Sequence, residues 1–471
     1  MTNSTLGRQA VVIGGSIAGL LAARILTDYF EQVTVIERDC FPLQAEPRRG
    51  IPQGTQLHLL LTRGRQIIEE LFPGLEAELI AQGAVSVDMG ADVEWLNPFG
   101  WTARFPSGFT VLSFSRCILD WLIYCRLAGT NQLHFLEESY VTGLISTPDG
   151  TSIAGVKVRQ RQQTGETQEH TLVADLVVDA SGFNSQAPKW LKELGYEAPK
   201  ETRITTGMGY AGRVYEIPAG FESDWKGVYL QAAPPERTSM AIMYPIENNR
   251  WLLGFCATAP HRLPKDEAAL LDALQQLPSP MIYNALKQAQ PCTPIEIYYP
   301  PGNRLYHYET LKRQPERFLV LGDAVCSFTP IYGQGMTVAA LGVKTLDACL
   351  QNLVGQPSPS LTGLAKTFQK RLAQINAGPW IASTTQDAKY PSFRGPIKGS
   401  SALNKFMGWY MNQVIHLTVR DTQTTLSLFE VFHMLKSPGT LFQPRILLQV
   451  LKQVLAGRSN SSQVKKSLTP L

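Results

Sequence analysis

The stretch Gly322–Ala340, GDAVCSFTPIYGQGMTVAA, decides how this chain is read. It opens where the apolar run RFLVL ends, so a buried strand is expected to stop at Gly322. Pro330, Gly333 and Gly335 then break the chain, and the pattern beyond them predicts a long helix to about Leu353. Asp323 is the last charge before Lys344. One carboxylate at the end of a buried strand, then a proline and two glycines opening a helix, suits a ligand lying across the strand's end.

Three hundred residues earlier, VVIGGSIAG (Val11–Gly19) has the same strand–turn–helix form. Gly14, Ser16 and Gly19 stand at the G-x-G-x-x-G positions, with Gly15 and Ala18 between them. Gly14 makes the tight turn, the small Ser16 lets a diphosphate approach the backbone, and Gly19 lets the helix pack on the strand. A phosphate then sits on the helix N-terminus. Glu37 closes the next strand at the spacing of a ribose-binding carboxylate, with Arg38 beside it. This loop alone does not separate NAD from FAD. In ADLVVDASG, Asp179 and Gly182 end another buried strand, either as a ligand-facing turn or as an ordinary capped one. Asp323 can accept from a ribityl hydroxyl. The N–H groups of Gly335 and Met336 can face a flavin ring carbonyl at a helix start, where developing negative charge is stabilised.

The expected elements are a strand at Val11–Ile13, a helix at Ser16–Tyr29 and a strand at Gln32–Glu37. Helices follow at 61–72 and Arg116–Leu127, antiparallel strands over 133–178 and 200–260 with a hairpin turn at ENN, and a helical segment at 266–290. Residues 355–363 read as a linker and 364–455 as mostly helical. The fold class is α/β: a doubly wound, Rossmann-like FAD-binding domain with an inserted antiparallel-sheet substrate domain and a helical C-terminal region. The FAD-binding domain is expected to be discontinuous, 1–80 with 116–200 and 300–355. The substrate domain takes 81–115 with 201–299, and the helical region 364–471.

The chain has 471 residues, 44% hydrophobic and 17% charged, which fits a large packed core. Its net charge of only +4 argues against a dedicated nucleic-acid binder, whose footprint would be a clustered basic face, so nucleic acid is not an expected partner. The seven cysteines are scattered and odd in number, which fits a reducing, cytoplasmic setting. The seven histidines form no ligand pair, so no metal is expected. The apolar run Ala10–Leu26 looks like an anchor, but it carries Arg24 and reads better as strand and helix.

Together, VVIGGSIAG, Glu37, DASG and GDAVCSFTPIYGQGMTVAA resemble the FAD-dependent monooxygenases of the para-hydroxybenzoate hydroxylase type. RRGIPQGTQLHLLLTRG and NRLYHYETL look like a bacterial subgroup with epoxidase-like members acting on polyketides and terpenoids. That subgroup often reads P-Q-x-x-H-x-H in its first loop; here Gln56 replaces the first histidine and His58 is the second. The resemblance implies that Arg48 and Arg116 touch the cofactor, with Gln53 and His58 as further candidates, and that the Val141 backbone meets the adenine. It also implies reduction by NADPH or NADH, directly or through a partner flavin reductase. One oxygen atom of O2 then reaches a lipophilic or aromatic small molecule by way of a flavin hydroperoxide, as hydroxylation or epoxidation. Pro330 would shape the oxygen site. A general base is needed only for a phenol, and His58, Tyr308 and Tyr332 are its candidates. DASGFNS lacks the usual arginine after Gly182, which leaves nicotinamide handling open there.

The substrate pocket is expected between the flavin and the antiparallel sheet. The aromatic stretch Gly90–Phe114 is either core or pocket wall. From residue 431 on there are six Lys/Arg and no Asp or Glu, and PRILLQVLKQVLAGR carries a helical apolar stripe. It reads either as a cover for the substrate domain or as peripheral membrane contact. The last dozen residues read as disordered. Three other readings compete: a flavin halogenase, which lacks W-x-W-x-I-P here, a reductase or dehydrogenase of isoprenoid chains, and a non-enzymatic flavin- or lipid-binding protein.

Overall fold

A computed structural model describes residues 5–161, 166–259, 262–396 and 402–466. Its centre is a five-stranded parallel sheet. The strand order is Phe318–Val320, Leu176–Asp179, Gly7–Ile13, Phe30–Ile36 and Leu133–Leu136. Parallel strands are covered on both faces and so read as continuous apolar runs. That is why VVI, LVV and FLV show no alternation. The helix Ile17–Leu26 lies on this sheet with every residue but Arg24 buried. Burial on all sides, between the sheet and the helix Gly335–Val354, explains its anchor-like composition.

A second, mixed sheet has seven strands, ordered Glu296–Tyr298, Gly209–Glu216, Arg250–Ala257, Met240–Ile246, Gly227–Leu230, Val93–Asn97 and Gly100–Trp101. The hairpin joining Met240–Ile246 to Arg250–Ala257 turns at Asn248 (φ 63°) and Asn249 (φ 54°). Asparagine tolerates that left-handed backbone, as the ENN reading requires. Among the described residues, four α-helices follow the linker: Leu364–Asp387, Ala402–Leu417, Thr422–Phe432 and Pro444–Lys466.

Two sequence expectations are corrected. Residues 133–136 are not part of an antiparallel run; they pair in parallel with Phe30–Ile36 as an edge of the central sheet. The segment 266–290 is two short helices, Glu267–Gln275 and Met281–Leu286, because Pro278 and Pro280 fall between them. Of the last dozen residues, expected to be disordered, 460–466 continue the helix Pro444–Lys466 and 467–471 lie outside the described residues. All seven cysteines are free thiols.

Candidate functional site

The two glycine junctions meet in one cavity of about 1570 Å³. At one end Gly14 has φ 98°, and a Cβ there would lie 2.7 Å from the carbonyl oxygen of Ala180. Only glycine fits, so the loop runs flush against the DASG turn. Ser16 begins the helix Ile17–Leu26 without any side-chain cap, and Ser16, Ile17 and Ala18 line the cavity. Uncapped N–H groups at a helix start suit an anion.

Glu37 accepts from the Gly15 N–H (2.6 Å) with one oxygen and from Arg38 N–H (2.8 Å) and Asp39 N–H (3.1 Å) with the other. Glu37, Arg38 and Val141 line the same end. A register shift lies between Val141 and Gly143, which interrupts ladder bonding at that place. Arg116 donates to Asp120 at 2.8 Å and to the Ser16 hydroxyl at 3.4 Å, which sets its guanidinium beside the loop.

At the other end Asp323 lines the cavity, and its Oδ1 is 4.0 Å from where a Cβ on Gly335 would stand. Burial pushes its carboxyl up, against the pull of Arg116 and Arg304. The helix Gly335–Val354 also starts without a side-chain cap, and Gly333, Gly335 and Met336 line the wall. Pro330 and Tyr332 line it too, with Gly182, Gln53, Gln56 and His58. Two uncapped helix starts, an arginine, a carboxylate beside each glycine turn, and one continuous space fit a dinucleotide whose phosphates lie on one helix and whose ring lies on the other.

Five candidate residues stand behind that wall. Gly15 and Gly19 are under the loop, where they allow close packing. Arg48 donates to the Gly15 carbonyl at 2.7 Å and lies over the Phe41 ring at 4.6 Å, so it braces the loop from below. Asp179 is fully buried and accepts from Ser181 N–H (2.9 Å) and the Ser185 hydroxyl (2.5 Å), the arrangement of a capped turn. Tyr308 is buried among core residues, away from the cavity, and burial holds its phenol well above the ordinary range.

The other two base candidates line the cavity but are held in their neutral forms. His58 Nδ1 is 2.9 Å from the Gln56 carbonyl, which can only accept, so Nδ1 carries the proton and Nε2 is left as acceptor. Burial, and then the nearby Arg116, lowers its pKa to about 4. Tyr332 donates to Asp387 at 2.6 Å, and burial with that carboxylate raises its phenol well above the ordinary range. Asp387 also accepts from Asn303 (2.6 Å) and the Thr329 hydroxyl (2.7 Å). The Pro330–Tyr332 turn is thus pinned to the far helical region, a contact with no sequence motif. Arg304, also unforeseen, stacks over Phe183 at 3.8 Å and donates to the Asp323 carbonyl at 3.3 Å.

Beyond the turn the cavity becomes apolar. Trp95, Tyr229 and Tyr244 of the seven-stranded sheet face Met411, Phe429 and Phe432 of the C-terminal helices. Trp95 is fixed by its indole N–H to Gln231 (2.9 Å). The aromatic stretch therefore divides. Trp95 is wall, Phe114 is core, and Phe99 and Trp101 are over a third exposed.

His433, fully buried, accepts from the Thr62 N–H (3.1 Å), and burial lowers its pKa to about 3. The folded chain therefore holds fewer protons than the unfolded chain between about pH 6.5 and the depressed values of His58 and His433. Stability is full above about 6.5 and falls as pH drops through that window. Urea unfolding at successive pH values should show a loss of up to about 1.4 kcal/mol per pH unit from His433. His433→Gln should flatten that slope.

None of the protein-family models matches the chain. It is 31% identical over 395 residues to Protein Rv3254 of Mycobacterium tuberculosis, covering 81% of this chain and 80% of that one. The chain belongs to the family of Rv3254. It is also 26% identical to kynurenine 3-monooxygenase of Salinispora arenicola (73% of this chain, 72% of that one). Squalene monooxygenase of Mus musculus is 25% identical, over 77% of this chain and 57% of the relative. Among solved structures, PqsL of Pseudomonas aeruginosa, given as a probable FAD-dependent monooxygenase, has a TM-score of 0.61 at 17% identity, covering 81% of this chain and 96% of that one. A triple mutant of the flavin-dependent brominase Bmp2 has a TM-score of 0.63 at 16% identity, covering 93% and 98%. The fold is that of the FAD-binding monooxygenases and halogenases, and the chain is an oxidoreductase.

Proposed function

We propose that this enzyme places one oxygen atom from O2 into a lipophilic or aromatic small molecule, by hydroxylation or epoxidation. The supporting observation is the single cavity that joins the two glycine junctions to an apolar compartment. When bound, FAD supplies the activation of O2 with electrons from NADPH or NADH, delivered directly or by a partner reductase.

The protein's own groups bind, orient and exclude water. Glu37 takes the ribose diol, while the uncapped helix start at Ser16 and Arg116 take the diphosphate. Asp323 takes a ribityl hydroxyl, and the N–H groups of Gly335 and Met336 face the ring. Pro330 closes the turn beside the reacting edge, and the aromatic wall keeps the far side dry. Burial keeps His58 and Tyr332 neutral near pH 7, and the lowered pKa of His58 makes it a weak base. That suits an alkene better than a phenol in need of deprotonation. Halogenation is the second reading, and the brominase fold supports it.

Arg116→Ala should weaken FAD about tenfold, the loss of one charge-assisted contact, in titrations followed by flavin fluorescence. The protein should purify yellow and bleach with NADPH or NADH in the absence of oxygen. Turnover under isotopically heavy O2 should then put one heavy atom in the product. A brominated product, with the label recovered in water alone, would replace oxygen transfer with halogenation.

A further inference from the structure

The cavity reaches the surface among residues that the oxygen-transfer chemistry does not use. Met407, 36% exposed, lines it; the neighbouring Phe406 is 51% exposed and Trp409 44%. A row of rings runs inward from there. Phe406 lies 5.7 Å from Trp409 and 6.3 Å from Tyr410, and Tyr410 stacks at 4.5 Å on Phe442, a cavity-lining residue.

The helix Pro444–Lys466 packs against the helix Ala402–Leu417 through Ile446, Val450 and Val454, at i, i+4 and i+8. Its next stripe, Leu447, Leu448 and Leu451, is 43%, 56% and 54% exposed. A helix that needed one apolar face to pack has two.

Charge says what covers the second face. Neither helix contains an Asp or Glu. Lys436 and Arg445 are paired with Glu430 and Asp421. Lys405 and Lys452 are exposed beside the aromatic and leucine stripes. The sequence adds Arg458, Lys465 and Lys466 to the last helix. Among the described residues no helix is long and apolar enough to cross a membrane.

We propose that this face docks on an anionic lipid surface. The leucines, Phe406 and Trp409 enter the headgroup boundary, where tryptophan is favoured, and the lysines meet lipid phosphates. The mouth beside Met407 then opens to the bilayer rather than to water. Delivery of a lipophilic substrate through that mouth rests on the function proposed above; the docking itself does not.

Sedimentation of the full-length flavin-loaded protein with vesicles tests the docking without turnover. Vesicles of equal phosphatidylcholine and phosphatidylglycerol should bind at least tenfold more protein than phosphatidylcholine alone, and salt should weaken that binding. Leu448→Glu with Leu451→Glu should reduce binding at least tenfold while flavin absorbance and circular dichroism hold. Should that variant misfold, Lys405→Glu with Lys452→Glu keeps the apolar stripe and should abolish the preference for anionic vesicles. Protein left in the supernatant with both vesicles overturns the proposal, as does undiminished binding by a folded leucine variant. A dimer in light scattering that the leucine variant dissociates, with no vesicle binding, overturns it in favour of contact between copies of this chain.

Discussion

Gly19→Ala is expected to give a colourless protein that unfolds at markedly lower urea. A Cβ at this position would lie 1.8 Å from the carbonyl oxygen of Gly14 and 3.4 Å from Val12 Cγ1. The carbonyl cannot swing aside, because its residue is fixed by the Gly14 N–H to Ile36 (2.8 Å) and by a turn that only glycine adopts. The helix Ile17–Leu26 must therefore lift from the sheet, and its buried residues lift with it. Inserting a methyl into a tight core costs about 1–3 kcal/mol, and a backbone neighbour puts this case at or above the top of that range. The same movement withdraws the uncapped N–H groups from the diphosphate. Flavin content after purification and a urea titration read the two effects separately. A yellow Gly19→Ala protein that unfolds with the parent would sink both the packing argument and the diphosphate placement.

Asp387→Ala should leave flavin in place and damage what lies past it. Tyr332, Thr329 and Asn303 all donate to this carboxylate. Each donor left buried without an acceptor costs about 1–3 kcal/mol, so a loss of about 3 kcal/mol or more is expected in chemical unfolding. Tyr332→Phe removes one donor and should cost about 1 kcal/mol. The Pro330–Tyr332 turn would retain the bond from Ile331 N–H to the Tyr210 hydroxyl (3.1 Å) and lose its hold on the helical region. With the turn loosened, oxygen use should uncouple from product, and peroxide release should rise several-fold. Unchanged coupling in a folded Asp387→Ala protein would show that the turn does not shape the reaction.

What the sequence made legible was local. Gly14 and Gly19 follow from steric needs of one turn, Glu37 from its distance along the chain, and the asparagine hairpin from the φ values it demands. The site was harder to read where it joins distant segments. LHFL at 133–136 is too short to name its neighbour, and periodicity does not say whether a strand pairs in parallel. Asp387 ends a helix with no motif, and only the fold brings it to Tyr332. An apolar stripe on the C-terminal helices announces that a face is buried. It does not say that the partner is the rim of a cavity. Asp179 and Tyr308 show the converse. Both sit in recognisable stretches, yet their side chains turn into the core, the direction a strand end or short helical turn leaves undetermined.

The order of the central sheet has a consequence for how the chain is made. The strand Leu176–Asp179 lies between Gly7–Ile13 and Phe318–Val320, and that third partner is far along the chain. A ribosome adding about 5–20 residues each second needs roughly 7–28 s to go from Asp179 to Phe318. For that interval one edge of a strand buried on both faces stays bare, a surface open to wrong pairing. The Gly335 helix start emerges later still. The nascent chain can therefore shape the phosphate end of its site well before the ring end exists, and flavin should be captured only once the Gly335 helix start has been made. Holdase chaperones and a supply of flavin during refolding should each raise the yield of yellow protein.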